Sequence, residues 1–181
     1  APLVTGIAAI GRDHEQFLGS DIAGIAAEKA GIARRGVPLV ALAQPPEAEA
    51  AFIRVAAERG ALLKLEGRDW QPDPTLVPAL AGPWQLRNAN LARQMLAAQD
   101  ALPVSDAQFR AALATVHWPA RFQRLGDGPL TRGAETWIDG AHNPQAAAAL
   151  AQLLATRPPM HLVAGILANK DAEAIIGALS P

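Results

Sequence analysis

Short apolar runs alternate with amphipathic stretches in the first third of the chain. Three runs have the length of strands, and two stretches between them carry apolar residues at helical spacing. In chain order these are residues 3–10, 21–30, 37–43, 46–59 and 61–65. Gly31 and Gly60 follow the two helical stretches, at the position where glycine commonly ends a helix. This alternation with short connections predicts an α/β fold with a parallel sheet flanked by helices.

The middle of the chain is predicted to be irregular and then helical. Four prolines fall within residues 68–83, which predicts an irregular connection. Apolar positions of one helical face then recur over residues 85–101 and predict a long helix. Ser105 and Gln108 stand at the spacing of a capping box, so we expect a further helix that runs to about Val116.

A second domain is predicted beyond residue 120. Residues 121–133 are rich in glycine and proline, a composition typical of a linker. We therefore expect a first domain over residues 1–120 and the start of a second over residues 134–181.

The second domain is predicted to contain two strand–helix pairs. A strand that ends at Asp139 precedes a helix from Pro144, and a strand over residues 160–167 precedes a helix begun by Asn169. Two such pairs cannot cover both faces of a sheet, so we expect this domain to be incomplete. The chain begins with Ala1 and opens directly into an apolar run, so we expect it to be a portion of something longer.

Composition excludes several classes of function. Half of the 181 residues are hydrophobic, 18% are charged, and the net charge is −1 with the basic residues scattered. This leaves no electrostatic footprint for nucleic acid or an anionic membrane. No apolar run reaches the ~18 residues of a membrane span. The absence of cysteine excludes disulfides and thiolate metal sites and suits a cytoplasmic protein.

The most informative local pattern is the turn from Asp139 to Pro144. It follows an apolar run and precedes an alanine-rich stretch, so strand, tight turn and helix are predicted in that order. Asn143 is a good N-cap, and Pro144 suits the first helical turn. Asp139 and His142 then lie at the carboxyl end of a strand, where open α/β sheets bind ligands. A well-capped turn with an incidental Asp and His explains the same local pattern equally well.

Other candidate residues are individually ambiguous. His14 is predicted at the carboxyl end of the first strand, where histidine is usually a packing or surface residue. Lys29 near the end of a helix suits the macrodipole. Arg121 could pair with a carboxylate across the domain junction, and a buried Asn88 would need hydrogen-bond partners. Neither G-x-x-x-x-G-K-[ST] nor a strand followed by G-x-G-x-x-G is present.

Taken together, six short motifs in order resemble the folylpolyglutamate synthase family, which includes bacterial enzymes that also have dihydrofolate synthase activity and belongs to the Mur ligase superfamily. The motifs are Asp13-His14 with Phe17-Leu18-Gly19, Glu28-Lys29-Ala30-Gly31-Ile32, Gly36-Val37-Pro38, Gln85-x-x-Asn88-Ala89, Pro119-Ala120-Arg121-Phe122 and Asp139-Gly140-Ala141-His142-Asn143-Pro144. The resemblance covers nearly the whole chain. It implies part of a Mur-ligase-like central domain with a parallel sheet, followed by part of a Rossmann-like C-terminal domain.

The resemblance implies an ATP-dependent ligase that forms an amide. In such enzymes ATP phosphorylates a carboxylate of dihydropteroate or of a folate, and the amine of L-glutamate attacks the acyl phosphate. Mg²⁺ and cationic groups neutralise the triphosphate and the developing oxyanion. The family also implies a monomer.

The resemblance also assigns residue roles. His14 matches a Mg²⁺-binding histidine. Lys29 matches a lysine that the family carbamylates, which would give it metal-directed oxygens and a catalytic role. Asn88, Arg121 and Asp139 match ATP contacts. His142 is assigned to the catalytic cleft.

Departures from the family pattern leave alternatives open. The family's phosphate loop and a Mg²⁺-binding glutamate are absent, so we expect this piece alone to lack ligase activity. A UDP-muramyl-peptide ligase is an alternative, although such enzymes tend to have Tyr where this chain has Gly140. A non-catalytic α/β binding domain is a further alternative. The ligase hypothesis requires His14 and Lys29 to face Asp139 across a gap sized for a nucleoside triphosphate.

Overall fold

The computed structural model describes residues 2–11, 21–129 and 131–180. It divides into two compact units. The first comprises Ala1–Pro78 and Gln85–Ala114, and the second comprises Ala79–Trp84 and Thr115–Pro181. The domain boundaries expected from the sequence stay predictions.

The first unit contains a parallel sheet of three strands, as predicted. The strands are paired in the order β1-β2-β3, with Thr5 opposite Leu39 and Pro38 opposite Leu62. Each strand is shorter than the apolar run that predicted it. Their bounds are β1, Thr5–Ile7; β2, Pro38–Ala41; and β3, Leu62–Leu65.

Four described helices belong with this sheet. They are α1, Ile22–Ala30; α2, Pro46–Arg59; α3, Pro83–Ala97; and α4, Asp106–Leu113. The Asp21 side chain caps α1 by accepting hydrogen bonds from the backbone of Ala23 and Gly24. The predicted capping box is present, since Ser105 and Gln108 exchange hydrogen bonds at the start of α4.

Two predicted helix ends are wrong. The helix α3 ends at Ala97 rather than residue 101, because the Gln99 side chain donates to the carbonyl of Leu96 and accepts from the backbone of Leu102. The helix α4 ends at Leu113 rather than near residue 116.

The two glycines that end helices act differently. Gly60 adopts the left-handed conformation expected of glycine after a helix, with φ of 68°. Gly31 keeps a right-handed φ of −53°, so the left-handed end that the sequence suggested is absent there. A Cβ at Gly31 would lie 2.7 Å from the carbonyl oxygen of Glu28, so close backbone approach is what this position requires.

The apolar core of the first unit follows from the alternation of side chains along the strands. Leu39 and Ala41 of β2 join the cluster that contains Phe52 of α2. Val40, between them, joins a second cluster with Trp70. Because alternate strand residues point to opposite faces, the sheet is covered on both sides.

The second unit contains a short antiparallel pair and two helices. The pair is β4, Gln123–Arg124, with β5, Trp137–Ile138, and the helices are α5, Pro144–Leu154, and α6, Ala172–Leu179. Asn143 caps α5, as predicted, by accepting from the backbone of Ala146 at 2.8 Å. The last helix is capped by Asp171 instead of starting at Asn169, which corrects that prediction.

The strand predicted over residues 160–167 is wrong. This segment has no strand conformation, and most of its apolar side chains are exposed, with Val163 95% and Leu167 71% accessible. No described strand lies beside it to take its backbone hydrogen bonds, so the apolar pattern alone does not make a strand. Among the described helices, none is long and apolar enough to cross a membrane.

Candidate functional site

The carboxyl ends of the parallel strands meet at one edge of the sheet, and Gln44 joins two of them. Its side-chain amide donates to the carbonyls of Ala8 at 3.0 Å and Leu42 at 3.1 Å. Its Oε1 accepts from the backbone of Ile10 at 2.9 Å. One side chain thus fixes the segments that follow β1 and β2, at the edge where open α/β sheets bind ligands.

Glu66 follows β3 at the same edge and is bonded to Arg87 of α3. The carboxylate accepts from Arg87 Nη2 and from the backbone of Ala43, both at 2.8 Å. Arg87 Nη2 also donates to the carbonyl of Ala43 at 3.1 Å. The Glu66 side chain is only 10% exposed and that of Arg87 is 43% exposed, so the carboxylate of this charge-assisted pair is shielded from water while the guanidinium is partly solvated. It anchors α3 to the edge of the sheet.

Asn88 is exposed on α3, and its Nδ2 donates to Oε1 of the buried Gln85 at 3.3 Å. The buried asparagine of this helix is Asn90, which is 1% exposed. Asn90 accepts from the backbone of Asp73 and donates to its carbonyl. Asn90 therefore has the structural role, whereas Asn88 presents an amide at the surface that Gln85 orients.

Lys29 lies in the last turn of α1 and is exposed. His14 lies outside the described residues, so its predicted pairing with Lys29 in a metal site stays a prediction. Within the described ranges, no group of three or more His, Asp or Glu side chains could hold a metal ion.

In the second unit, Arg121 lies between two residues of unusual backbone conformation. Ala120 has φ of 54° and Phe122 has φ of 46°. Residues other than glycine rarely adopt this left-handed region, and each instance costs on the order of 1–3 kcal/mol. Such a conformation persists only where surrounding contacts hold it.

Those contacts come mainly from the turn at Asp139. Asp139 Oδ2 accepts from the backbone of Phe122 at 2.8 Å. The backbone of Gly140 donates to the carbonyl of Ala120 at 2.9 Å. From within the loop, Gln123 Oε1 accepts from the backbone of Ala120 at 3.0 Å. The segment containing Arg121 is therefore bonded directly to the segment containing Asp139.

Both oxygens of the Asp139 carboxylate accept hydrogen bonds from the backbone. Oδ1 accepts from Ala141 at 2.8 Å, while Oδ2 is bonded to Phe122. His142 Nδ1 lies 2.9 Å from the carbonyl oxygen of Gly140. A carbonyl oxygen only accepts, so this contact places the proton of a neutral imidazole on Nδ1.

Stacked rings support the same loop. The rings of Phe122 and Trp137 are stacked with centroids 4.6 Å apart. The Arg157 guanidinium lies 4.6 Å from the Trp137 ring centroid and 5.4 Å from that of Phe122. These cation–π contacts stabilise the buried position of Phe122.

The structure brings Arg121, Asp139 and His142 together within the second unit. Lys29 and Asn88 belong to the first unit. Sequence reasoning missed Gln44, Glu66 and Arg87, although the first two directly follow predicted strands and could have been found from that position. No local sequence pattern predicts the left-handed conformations of the residues on either side of Arg121.

Several known proteins are similar to this chain over nearly its whole length. Folylpolyglutamate synthase of Lacticaseibacillus casei is 34% identical over an alignment of 207 positions. The alignment covers 99% of this chain and 46% of that protein. Dihydrofolate synthase/folylpolyglutamate synthase of Mycobacterium tuberculosis is 34% identical over an alignment of 215 positions. That alignment covers 98% of this chain and 42% of that protein. The chain thus spans about half the length of the curated relatives it matches. No protein-family profile matches the chain.

Solved structures match over the same extent. The structure described as "FPGS-AMPPCP-folate complex" has a TM-score of 0.84 and 32% identity, and the match covers 98% of this chain and 48% of that one. "E.coli FolC in complex with DHPP and ADP" has a TM-score of 0.80 and 30% identity, with coverage of 97% and 44%.

The fold and these matches define an α/β protein of Mur-ligase-like fold, which confirms the predicted fold class. Over nearly its whole length the chain has homologues named folylpolyglutamate synthase and dihydrofolate synthase/folylpolyglutamate synthase, as its motifs indicated.

Proposed function

We propose that the chain is part of an ATP-dependent ligase that joins L-glutamate to a carboxylate of dihydropteroate or of a folate through an acyl phosphate. The main support is the likeness to a structure named as a complex with AMPPCP and folate, with a TM-score of 0.84. The motifs that carry Lys29, Asn88, Arg121 and Asp139 are all present. The protein is cytoplasmic and acts as a monomer.

The candidate residues have different roles in this proposal. Asn88 of the first unit contacts ATP. Arg121 and Asp139, both of the second unit, are also ATP contacts. The exposed guanidinium of Arg121 supplies positive charge toward phosphate oxygens, which stabilises charge that develops in transfer. His142, with its proton on Nδ1, lies in the catalytic cleft beside Asp139.

Mg²⁺ belongs to this proposal through His14 and Lys29. Lysine in its ordinary ammonium form is no ligand, whereas its carbamate would offer the oxygen donors that Mg²⁺ prefers. The metal would neutralise charge on the triphosphate. Well-resolved electron density at Lys29 Nζ, from crystals grown with and without added bicarbonate, would reveal the carbamate.

Nucleotide binding is tested by calorimetric titration of the 181-residue chain with ADP. We expect saturable binding that Arg121→Ala weakens by about 10- to 100-fold, the scale of a hydrogen bond to a charged group. Arg132→Ala, an exposed arginine in the same unit, is the matched control and should bind as wild type does. Equal ADP affinity in wild type and Arg121→Ala would refute the nucleotide role of Arg121.

Ligation is tested in a chimera, because the chain has no phosphate loop and should show no turnover alone. The chain replaces the matching region of the L. casei enzyme, and ATP-dependent incorporation of glutamate into a folate is measured. We expect activity in the chimera and none when it carries Arg121→Ala. A folded chimera that binds a UDP-muramyl peptide but not a folate would favour the alternative ligase.

A further inference from the structure

The geometry points to Asp139 and Gly140 as a positioning pair that holds the loop of Arg121, so that Asp139, besides its own place in the nucleotide subsite, acts on nucleotide binding through Arg121. The inference rests on the proposed function for the nucleotide role of Arg121. The loop geometry itself is independent of that role.

The Arg121 loop needs contacts from outside it to keep its conformation. Ala120 and Phe122, on either side of Arg121, both have positive φ without being glycine. A chain free to relax would leave this left-handed region. Hydrogen bonds from outside the loop therefore fix the backbone position from which the Arg121 side chain extends.

Position 139 needs a carboxylate to hold the loop. Its two oxygens accept from the backbone of Phe122 and of Ala141, both at 2.8 Å. An asparagine of the same shape has one oxygen, and its NH₂ group would face a backbone N–H donor. Asp139→Asn therefore breaks one of the two bonds without removing volume.

Gly140 has little room for a side chain. A Cβ there would lie 3.2 Å from Arg121 Nη1 and 3.3 Å from the carbonyl oxygen of Ala120. The residue cannot retreat, because its own N–H donates to that carbonyl at 2.9 Å. A side chain at position 140 therefore moves the guanidinium of Arg121 while Asp139 keeps its bonds.

Amide hydrogen exchange of the ligand-free 181-residue chain tests the hold on the loop. We expect Asp139→Asn to speed exchange at Phe122 or Ala141, the amides that its carboxylate accepts from, by about tenfold or more. The amides of α5 serve as an internal reference for an intact fold. Asp127→Asn, an exposed carboxylate of the same unit, is the control and should change nothing. Unchanged exchange at both amides in Asp139→Asn would overturn the inference.

A double-mutant cycle with ADP as the probe tests the action through Arg121. Asp139→Asn should weaken ADP binding by about tenfold in wild type and by clearly less in the Arg121→Ala background. Gly140→Ala should weaken ADP binding while leaving exchange at Ala141 unchanged. Additive effects of Asp139→Asn and Arg121→Ala would show that the two residues act independently and would overturn the positioning role. If wild type fails to bind ADP, the proposed function fails, and the exchange experiment alone decides whether Asp139 holds the loop.

Discussion

The first unit is held by a buried apolar core, whereas the Arg121 loop of the second unit is held by hydrogen bonds and stacked rings. Phe52, Ile25 and Leu39 are fully buried in the first unit. The loop beside Arg121 depends instead on one carboxylate, on the backbone of Gly140 and on the Phe122–Trp137 stack. Stability and site geometry therefore depend on different residues, and substitutions can separate them.

The largest expected effect is on the core of the first unit. Phe52→Ala should lower the free energy of unfolding by about 3–5 kcal/mol, since it leaves a cavity at a fully buried position. Urea denaturation followed by circular dichroism measures this. Ile53→Ala, at a neighbouring position that is 46% exposed, should cost far less. Equal losses in the two variants would contradict the placement of Phe52 in the core.

A smaller effect is expected where α4 joins the first unit. The helix has no buried residue, and Arg110 bonds to Asp73 at 2.6 Å and to Asp106 at 2.7 Å. Hydrogen bonds from the side chain and backbone of Thr75, and then the Arg110 guanidinium, lower the pKa of Asp73 to about 2.

Acid should therefore weaken this attachment. The folded-state pKa of Asp73 lies below its ordinary value of 3.8, so its stabilising effect is present above about pH 4 and is lost as the pH falls toward 2. Denaturation at pH 4 and pH 2 should show a larger loss of stability in wild type than in Asp73→Asn. The control, Asp100→Asn, should follow wild type, and identical pH dependence in all three proteins would refute the role of Asp73.

The smallest expected effect is on the aromatic support of the loop. Phe122→Leu keeps an apolar side chain but removes the stack on Trp137, which should cost about 0.5–1.5 kcal/mol. Near-ultraviolet circular dichroism should lose tryptophan intensity in this variant. A spectrum identical to wild type would mean that the stack does not order Trp137.

Local signals in the sequence predicted local structure well. The helix over residues 46–59, the capping box of Ser105 with Gln108 and the cap at Asn143 were all confirmed. Each depends on atoms within a few residues of one another, so sequence spacing is enough to identify it.

Features that depend on distant partners were not predictable in this way. An apolar run over residues 160–167 became an exposed segment because pairing, not hydrophobicity, makes a strand. The pair of Glu66 with Arg87 joins residues 21 apart in sequence. The left-handed conformations of Ala120 and Phe122 depend on a carboxylate 17 residues beyond Phe122.

Gln44 is a single side chain whose chemical change would loosen the edge of the sheet. Its primary amide donates twice and accepts once between the segments that follow β1 and β2, beside the backbone hydrogen bond from Leu42 to the carbonyl of Ile7. Deamidation to glutamate would replace both donors with an oxygen that faces two carbonyl groups. A single hydrolysis at this side chain would thus weaken the link between the two backbone segments and leave it to the bond between Leu42 and Ile7.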